Sequence, residues 1–109
     1  MAWLLRGGEV LAALSIVSSR ADRRRGLLGR DGIEGALLIE RARSVHTIGM
    51  RFPIDVAFCD RDLVVLRTRT LLPGRVTLPV RRAHVVIEAE AGVFASWELA
   101  PGDSLEVAA

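Results

Sequence analysis

Lysine, asparagine, glutamine and tyrosine are all missing from this 109-residue chain, and each absence removes some chemistry. Without lysine there is no side-chain Schiff base, and without tyrosine, asparagine or glutamine several usual oxyanion donors are gone. Cys59 is the single cysteine, so no intramolecular disulfide can form, which fits a reducing compartment. No low-pKa surroundings are visible around Cys59, and it reads as a small buried hydrophobe, not a reactive thiol. Long apolar runs are missing too: nothing approaches the roughly eighteen residues of a membrane span. Residues 10–17 have the length of a signal-peptide core, but Gly7, Gly8 and Glu9 precede them and no small-residue cleavage site follows. A strand explains them better, and the chain is expected to be soluble and cytoplasmic.

What is present begins with fifteen arginines, the only basic residues other than two histidines. The four absent residue types have AT-rich codons, so a biased genomic base composition explains the pattern better than selection for phosphate binding. The formal net charge of +2 is small, and the high pI mostly reports arginine ionisation, not a strong positive field. Arg20, Arg23, Arg24, Arg25 and Arg30 form a local cluster, diluted by Asp22 and Asp31. With no stacking aromatics interleaved, such a cluster reads as a solvated helix face; nonspecific nucleic-acid binding through Arg20 to Arg25 is the weaker alternative, and no specific nucleic-acid partner is expected. The length suits one domain, residues 1–109, able to remove roughly two-thirds of its unfolded surface from water. No repeat, low-complexity tract or linker interrupts it.

Residues 2–5 and 10–17 flank Gly7 and Gly8, which can supply the positive φ angles of a two-residue hairpin turn. Ser18 and Ser19 offer caps for a short helix over residues 20–28, stopped at Gly29. Gly29, Gly32 and Gly35 match neither a dinucleotide fingerprint nor a P-loop and read as a turn-rich connector. Residues 36–39 look like a buried strand, and residues 45–48 like a second extended segment. Pro53 should sit at a strand's beginning, after which Ile54, Val56 and Phe58 face one way and Asp55, Ala57 and Cys59 the other. Asp60, Arg61 and Asp62 turn the chain into a partner strand over residues 63–69. Residues 71–79, with two prolines and a glycine, read as an irregular excursion. A strand follows over residues 83–89, then a short helical turn within 91–99, a Pro101-Gly102-Asp103 turn and a last strand over 104–107. The expected fold is mainly β with a minor α component: a compact β-sandwich or barrel of about seven or eight short strands with one or two short helices. Val56 and Phe58 are expected in the core beside Val85 or Ile87.

These landmarks together resemble an uncharacterised prokaryotic family, domain of unknown function 192 (DUF192). The resemblance rests on Arg25-Gly26-Leu27-Leu28-Gly29-Arg30, Gly35-Ala36-Leu37-Leu38, the Pro53-Ile54-Asp55-Val56-Ala57-Phe58 segment, Glu88, Ala91-Gly92 and Gly102-Asp103. It spans residues 5–107 and is carried by the order and spacing of the motifs. It implies a mainly β fold with a short helix and brings no established activity. Many members have a Lys-Asn-Thr-like stretch before the Pro-hydrophobic-Asp motif, where this chain has residues 46–51. Members often carry an export signal or lipid anchor, which this chain is not expected to have.

Candidate site residues are few. Asp55, just inside a strand, is the carboxylate of most interest; an arginine is its expected partner, drawn from Arg25, Arg30 and Arg51. With His46 these make a candidate ligand-binding set of Arg25, Arg30, His46, Arg51 and Asp55. A small hydrolase using His46 and Asp55 is the alternative, although no G-x-S-x-G elbow is present and only Ser44 lies near. His46 and His84 could meet across a sheet, but no dense ligand spacing accompanies them, so neither metal nor cofactor is expected. Asp103 can bond turn N–H groups, and Trp3 and Trp97 read as core or groove-lining residues. The sequence thus points to a non-enzymatic or accessory β domain that binds a small ligand or protein partner, its catalytic residues, if any, unknown.

Overall fold

The structure, a computed structural model, describes residues 2–18 and 32–109. The helix expected over residues 20–28, and with it Arg25 and Arg30, lies outside the described residues. Among the described residues seven strands make one sheet: β1 (Ala2–Arg6), β2 (Glu9–Val17), β3 (Ala36–Glu40), β4 (Ile54–Cys59), β5 (Val65–Leu71), β6 (Val85–Glu90) and β7 (Glu106–Ala108). A single-turn helix, α1 (Val93–Ser96), sits between β6 and β7. Both expected hairpins form. Gly7 and Gly8 adopt φ of 58° and 80°, the left-handed pair that matches the twist of β1 and β2. At the second hairpin Asp60 Oδ1 accepts from the N–H groups of Asp62 (2.9 Å) and Val64 (3.0 Å), so its side chain organises the turn between β4 and β5.

The strands run in the order β5-β4-β6-β3-β2-β1-β7, parallel between β2 and β3 and antiparallel elsewhere. β5 and β7 are therefore the two edges, and the sheet curls until they approach each other. An isolated bridge between Val64 and Ser104 stitches them at one point. Beside it Val65 N–H donates to Asp103 O (2.9 Å), Gly102 N–H to Val65 O (2.8 Å) and Leu105 N–H to Leu63 O (3.0 Å). The result is barrel-like but not closed, because beyond Val65 the rest of β5 runs free of β7.

Alternation on the central strands divides the core in two. Ile54, Val56 and Phe58 join Leu37, Ile39, Leu71 and Val86 in one cluster, covered by Val45, Met50, Phe52 and Ala83 from the long connections. Ala57, Cys59, Val85, Ile87 and Ala89 face the other way, into the curled sheet with Leu4, Leu14, Leu38, Val65, Phe94 and Leu105. Val56 and Phe58 are fully buried as expected, but not beside Val85 or Ile87; Phe58 lies opposite Val86 and Val56 opposite Glu88. The reason is parity: directly opposed residues share a face, and a shift of one residue changes sides.

The extended segment expected at 45–48 pairs antiparallel with the following loop at an isolated bridge, His46 to Val76, and does not extend into a longer strand. Thr47 is fully buried there, its hydroxyl donating to Leu72 O (2.7 Å) and accepting from Arg75 N–H (2.8 Å). These side-chain bonds add to the backbone bonds that join the two loops, Thr47 N–H to Arg75 O (2.7 Å), Gly74 N–H to Thr47 O (2.9 Å) and Thr77 N–H to Val45 O (2.9 Å). Gly35 holds the entry to β3 with φ 67°, and a Cβ there would fall 2.5 Å from the Ala13 carbonyl oxygen. Only glycine lets the chain pass this close to β2.

Candidate functional site

Asp55 is 3% exposed, and its neighbours supply three hydrogen bonds. Thr70 Oγ1, directly opposite on β5, donates to Oδ1 at 2.6 Å. The N–H groups of Gly92 (2.9 Å) and Phe94 (3.0 Å) donate to Oδ2. Gly92, at φ 95°, is the N-cap of α1 and has no side chain to cap with; a carboxylate 37 positions earlier in the chain does so instead, bonding the second helical N–H in the usual capping geometry. The expected arginine partner is thus replaced, among the described residues, by uncharged donors. Physically this is a sound alternative: three donors converging on a carboxylate compensate its lost hydration without a second desolvated charge.

This anchoring shapes a cavity. Where β5, still paired to β4, runs free of β7, a recess of about 270 Å³ is lined by Asp55 of β4, Thr68, Arg69 and Thr70 of β5, and Gly92, Phe94, Ala95 and Leu99 around α1. At its floor Asp55 ties β4, β5 and α1 together. Phe94 stacks on Trp97 with ring centroids 5.5 Å apart, and both pack on the inner core cluster. Arg6 backs this region: Nη1 donates to Asp103 Oδ2 (3.0 Å) and Nη2 to the Trp97 carbonyl (2.5 Å). Asp103 also accepts from Ala100 N–H at 3.0 Å, closing its turn backward by three residues, not forward by two.

Of the other described residues singled out from the sequence, His46 and Arg51 do not line this recess. His46 and Arg51 are exposed, in the connection that covers the outer core cluster, whereas Asp55 belongs to the opposite face of β4. His46 and Asp55 therefore do not form a pair. Arg25 and Arg30 lie outside the described residues. Cys59 is fully buried and burial, with Asp60 nearby, pushes its thiol up to about 12, as befits an inert thiol. Trp97 lines the inner core, but Trp3 is 39% exposed, because Leu4 takes the inward position on β1.

Sequence reasoning passed over two polar residues as site candidates, one in the recess and one on the opposite face of the sheet. Thr70 could have been found by pairing the second hairpin residue by residue, which sets it opposite Asp55. Glu88 carried a clearer signal, a lone acid in the apolar run Val85-Val86-Ile87-Glu88-Ala89. It is 4% exposed on the outer-cluster face, between Val56 of β4 and Leu37 of β3, and burial pushes its carboxyl up to about 7. Arg69 shares that row on the far side of Val56.

Known proteins of the same shape extend these observations. The fold matches a protein of unknown function from Novosphingobium aromaticivorans with a TM-score of 0.81 and 21% identity, over 96% of this chain and 82% of that one. It also matches a Sinorhizobium meliloti protein proposed to be a transcription regulator, again with a TM-score of 0.81, at 19% identity over 97% and 91% of the two chains. At such identities the likeness establishes the fold alone. A UPF0127 protein of Pyrococcus furiosus is 35% identical over 63 residues, 58% of this chain and 54% of that protein, so the match spans about half the relative's length. The model of DUF192, described as "Uncharacterized ACR, COG1430", matches residues 3–107, and the chain belongs to that family.

Proposed function

We propose that this domain is a non-enzymatic binding module that receives a small polar ligand, or a side chain of a protein partner, in the recess between β5 and α1. The observation that supports this reading is Asp55. All three of its contacts hold the walls of the recess in place, and a carboxylate so engaged serves as a brace, not as a general base. The lining mixes the polar groups of Asp55, Thr68, Arg69 and Thr70 with the Phe94 ring and the Leu99 and Ala95 side chains, a balance of polar and apolar surface that suits a small polar ligand or a polar side chain. A hydrolase reading gains no support from His46, which lies away from Asp55. The lone buried thiol of Cys59 favours a reducing, cytoplasmic setting.

A fragment screen by ¹H–¹⁵N NMR tests the proposal. Small polar and aromatic fragments should shift the amide signals of Thr68, Thr70, Gly92, Phe94, Ala95 and Leu99 together. Shifts that gather instead around His46 and Arg51, or no shifts at any fragment, would refute it.

A further inference from the structure

We infer that the free edge of β5 beside the recess is a docking site for an extended, acidic peptide segment of a partner protein, added as an extra strand. The inference rests on the recess as the binding region and names the class of its occupant. Among the described strands β5 is an edge by topology, paired to β4 on one side. Its opposite side is occupied at Val65 by Asp103 and Gly102, and beyond Val65 no backbone hydrogen bond links that outer edge to another described residue. Among the described residues, the N–H and C=O groups of residues 66–71 that point away from β4 thus have no backbone partner and lie next to a ready-made depression, the arrangement that strand addition exploits.

Side chains along this edge state what can bind. Thr68 and Thr70 line the recess in register with Ala57 and Asp55, while Arg67 and Arg69 are exposed and in register with Phe58 and Val56 of the other face, Arg69 also reaching the recess lining. An incoming strand would place alternate residues over the recess and the others beside the two guanidinium groups. Opposite charge at those positions is favourable, like charge is not. A second copy of this chain, pairing β5 against β5, would bring arginines against arginines; the charges that blunt the edge against self-association invite an acidic strand.

The test uses an acetylated and amidated heptapeptide, Glu-Thr-Glu-Val-Glu-Thr-Glu, its analogue with lysine for glutamate, and an acidic version N-methylated at alternate amides. Hydrogen exchange and NMR titration of the whole chain are read at residues 66–71. The acidic peptide should slow exchange of outward β5 amides, the lysine peptide should not, and N-methylation should lower affinity at least tenfold, because it removes backbone bonds and keeps the charge. The double variant Arg67→Glu/Arg69→Glu should reverse the preference between acidic and basic peptides. If that variant does not fold, the N-methylated peptide on the unaltered chain still decides. Equal binding of the N-methylated peptide, no protection of β5 at peptide concentrations up to about 1 mM, or self-association through β5 would each overturn the inference. Fragments that enter the recess while no peptide protects the edge would overturn the edge site and leave the recess standing; the converse would do the reverse.

Discussion

Replacing Glu88 by glutamine should make the protein gain stability relative to its parent as pH rises, the opposite of what removing a paired carboxylate does. The side chain is 4% exposed on an apolar face, and burial raises its carboxyl from 4.5 to about 7. Because the folded-state value lies above the unfolded one, the fold favours the protonated form. The stability associated with that neutral carboxyl is fully present below pH 4.5, is lost as pH climbs toward about 7, and stays lost above it. At about 1.4 kcal/mol per pH unit, the loss amounts to about 3 kcal/mol, a large share of the roughly 5–15 kcal/mol that holds a small domain together. Glutamine keeps the shape and never ionises. It carries its own cost of burying an amide, but that cost does not vary with pH. Urea unfolding of parent and Glu88→Gln from about pH 4 to about pH 8.5, with the difference taken at each pH so that other titrating groups cancel, isolates the effect. The difference should move in favour of the variant by about 3 kcal/mol, with a midpoint between the two protonation values. A difference flat with pH, or one that moves against the variant at high pH, would show that the carboxylate is held charged by a partner and would refute the reasoning.

Three other sites probe the frame around the recess and the core behind it. Asp55→Ala strands the Gly92 and Phe94 N–H groups and the Thr70 hydroxyl and should cost about 3 kcal/mol or more in chemical denaturation. Asp55→Asn should cost less than half as much, since its carbonyl can still accept from both amides and Thr70 can turn its hydroxyl into an acceptor; equal losses would mean that the charge matters more than the geometry. Phe58→Ala, at a site with no exposure, should cost about 3–5 kcal/mol by the same measurement. Gly35→Ala should lose more than about 1 kcal/mol, from the positive φ together with the contact on Ala13, and a neutral result would argue against the close approach of β3 to β2.

How much of this is legible in the sequence depends on the range of the interaction. The hairpins announce themselves through Gly7-Gly8 and Asp60 to Asp62, because turn chemistry is decided within four residues. The strand following Pro53 is likewise readable, since proline restricts both its own backbone and that of its predecessor. What alternation does not convey is register. It separates Val85 and Ile87 from Val86 and Glu88, yet it does not say that Phe58 meets Val86, because that choice rests on the pairing of strands 28 positions apart. Asp55 shows the same limit at the site. Its burial follows from its place in an apolar strand, but its partners, two amides 37 and 39 positions away and a hydroxyl 15 away, are set by the curl of the sheet. An arginine is the default partner only when tertiary structure is left out of the reckoning. Glu88 is readable as a charge inside an apolar run, but it belongs to no catalytic or ligand motif, so a search for such motifs passes over it.

Blocking the recess tests the central claim most directly. Ala95 is an exposed residue of α1 on the lining, so Ala95→Trp should fill the recess without disturbing the core behind it. The measurement is the dissociation constant of a fragment that shifts Thr68, Thr70 and Phe94, taken by NMR titration on the parent and on Ala95→Trp, with unfolding curves confirming that both are folded. Affinity should fall at least tenfold in the variant. An unchanged dissociation constant in a folded Ala95→Trp protein would place the binding elsewhere and contradict the assignment of this recess as the site.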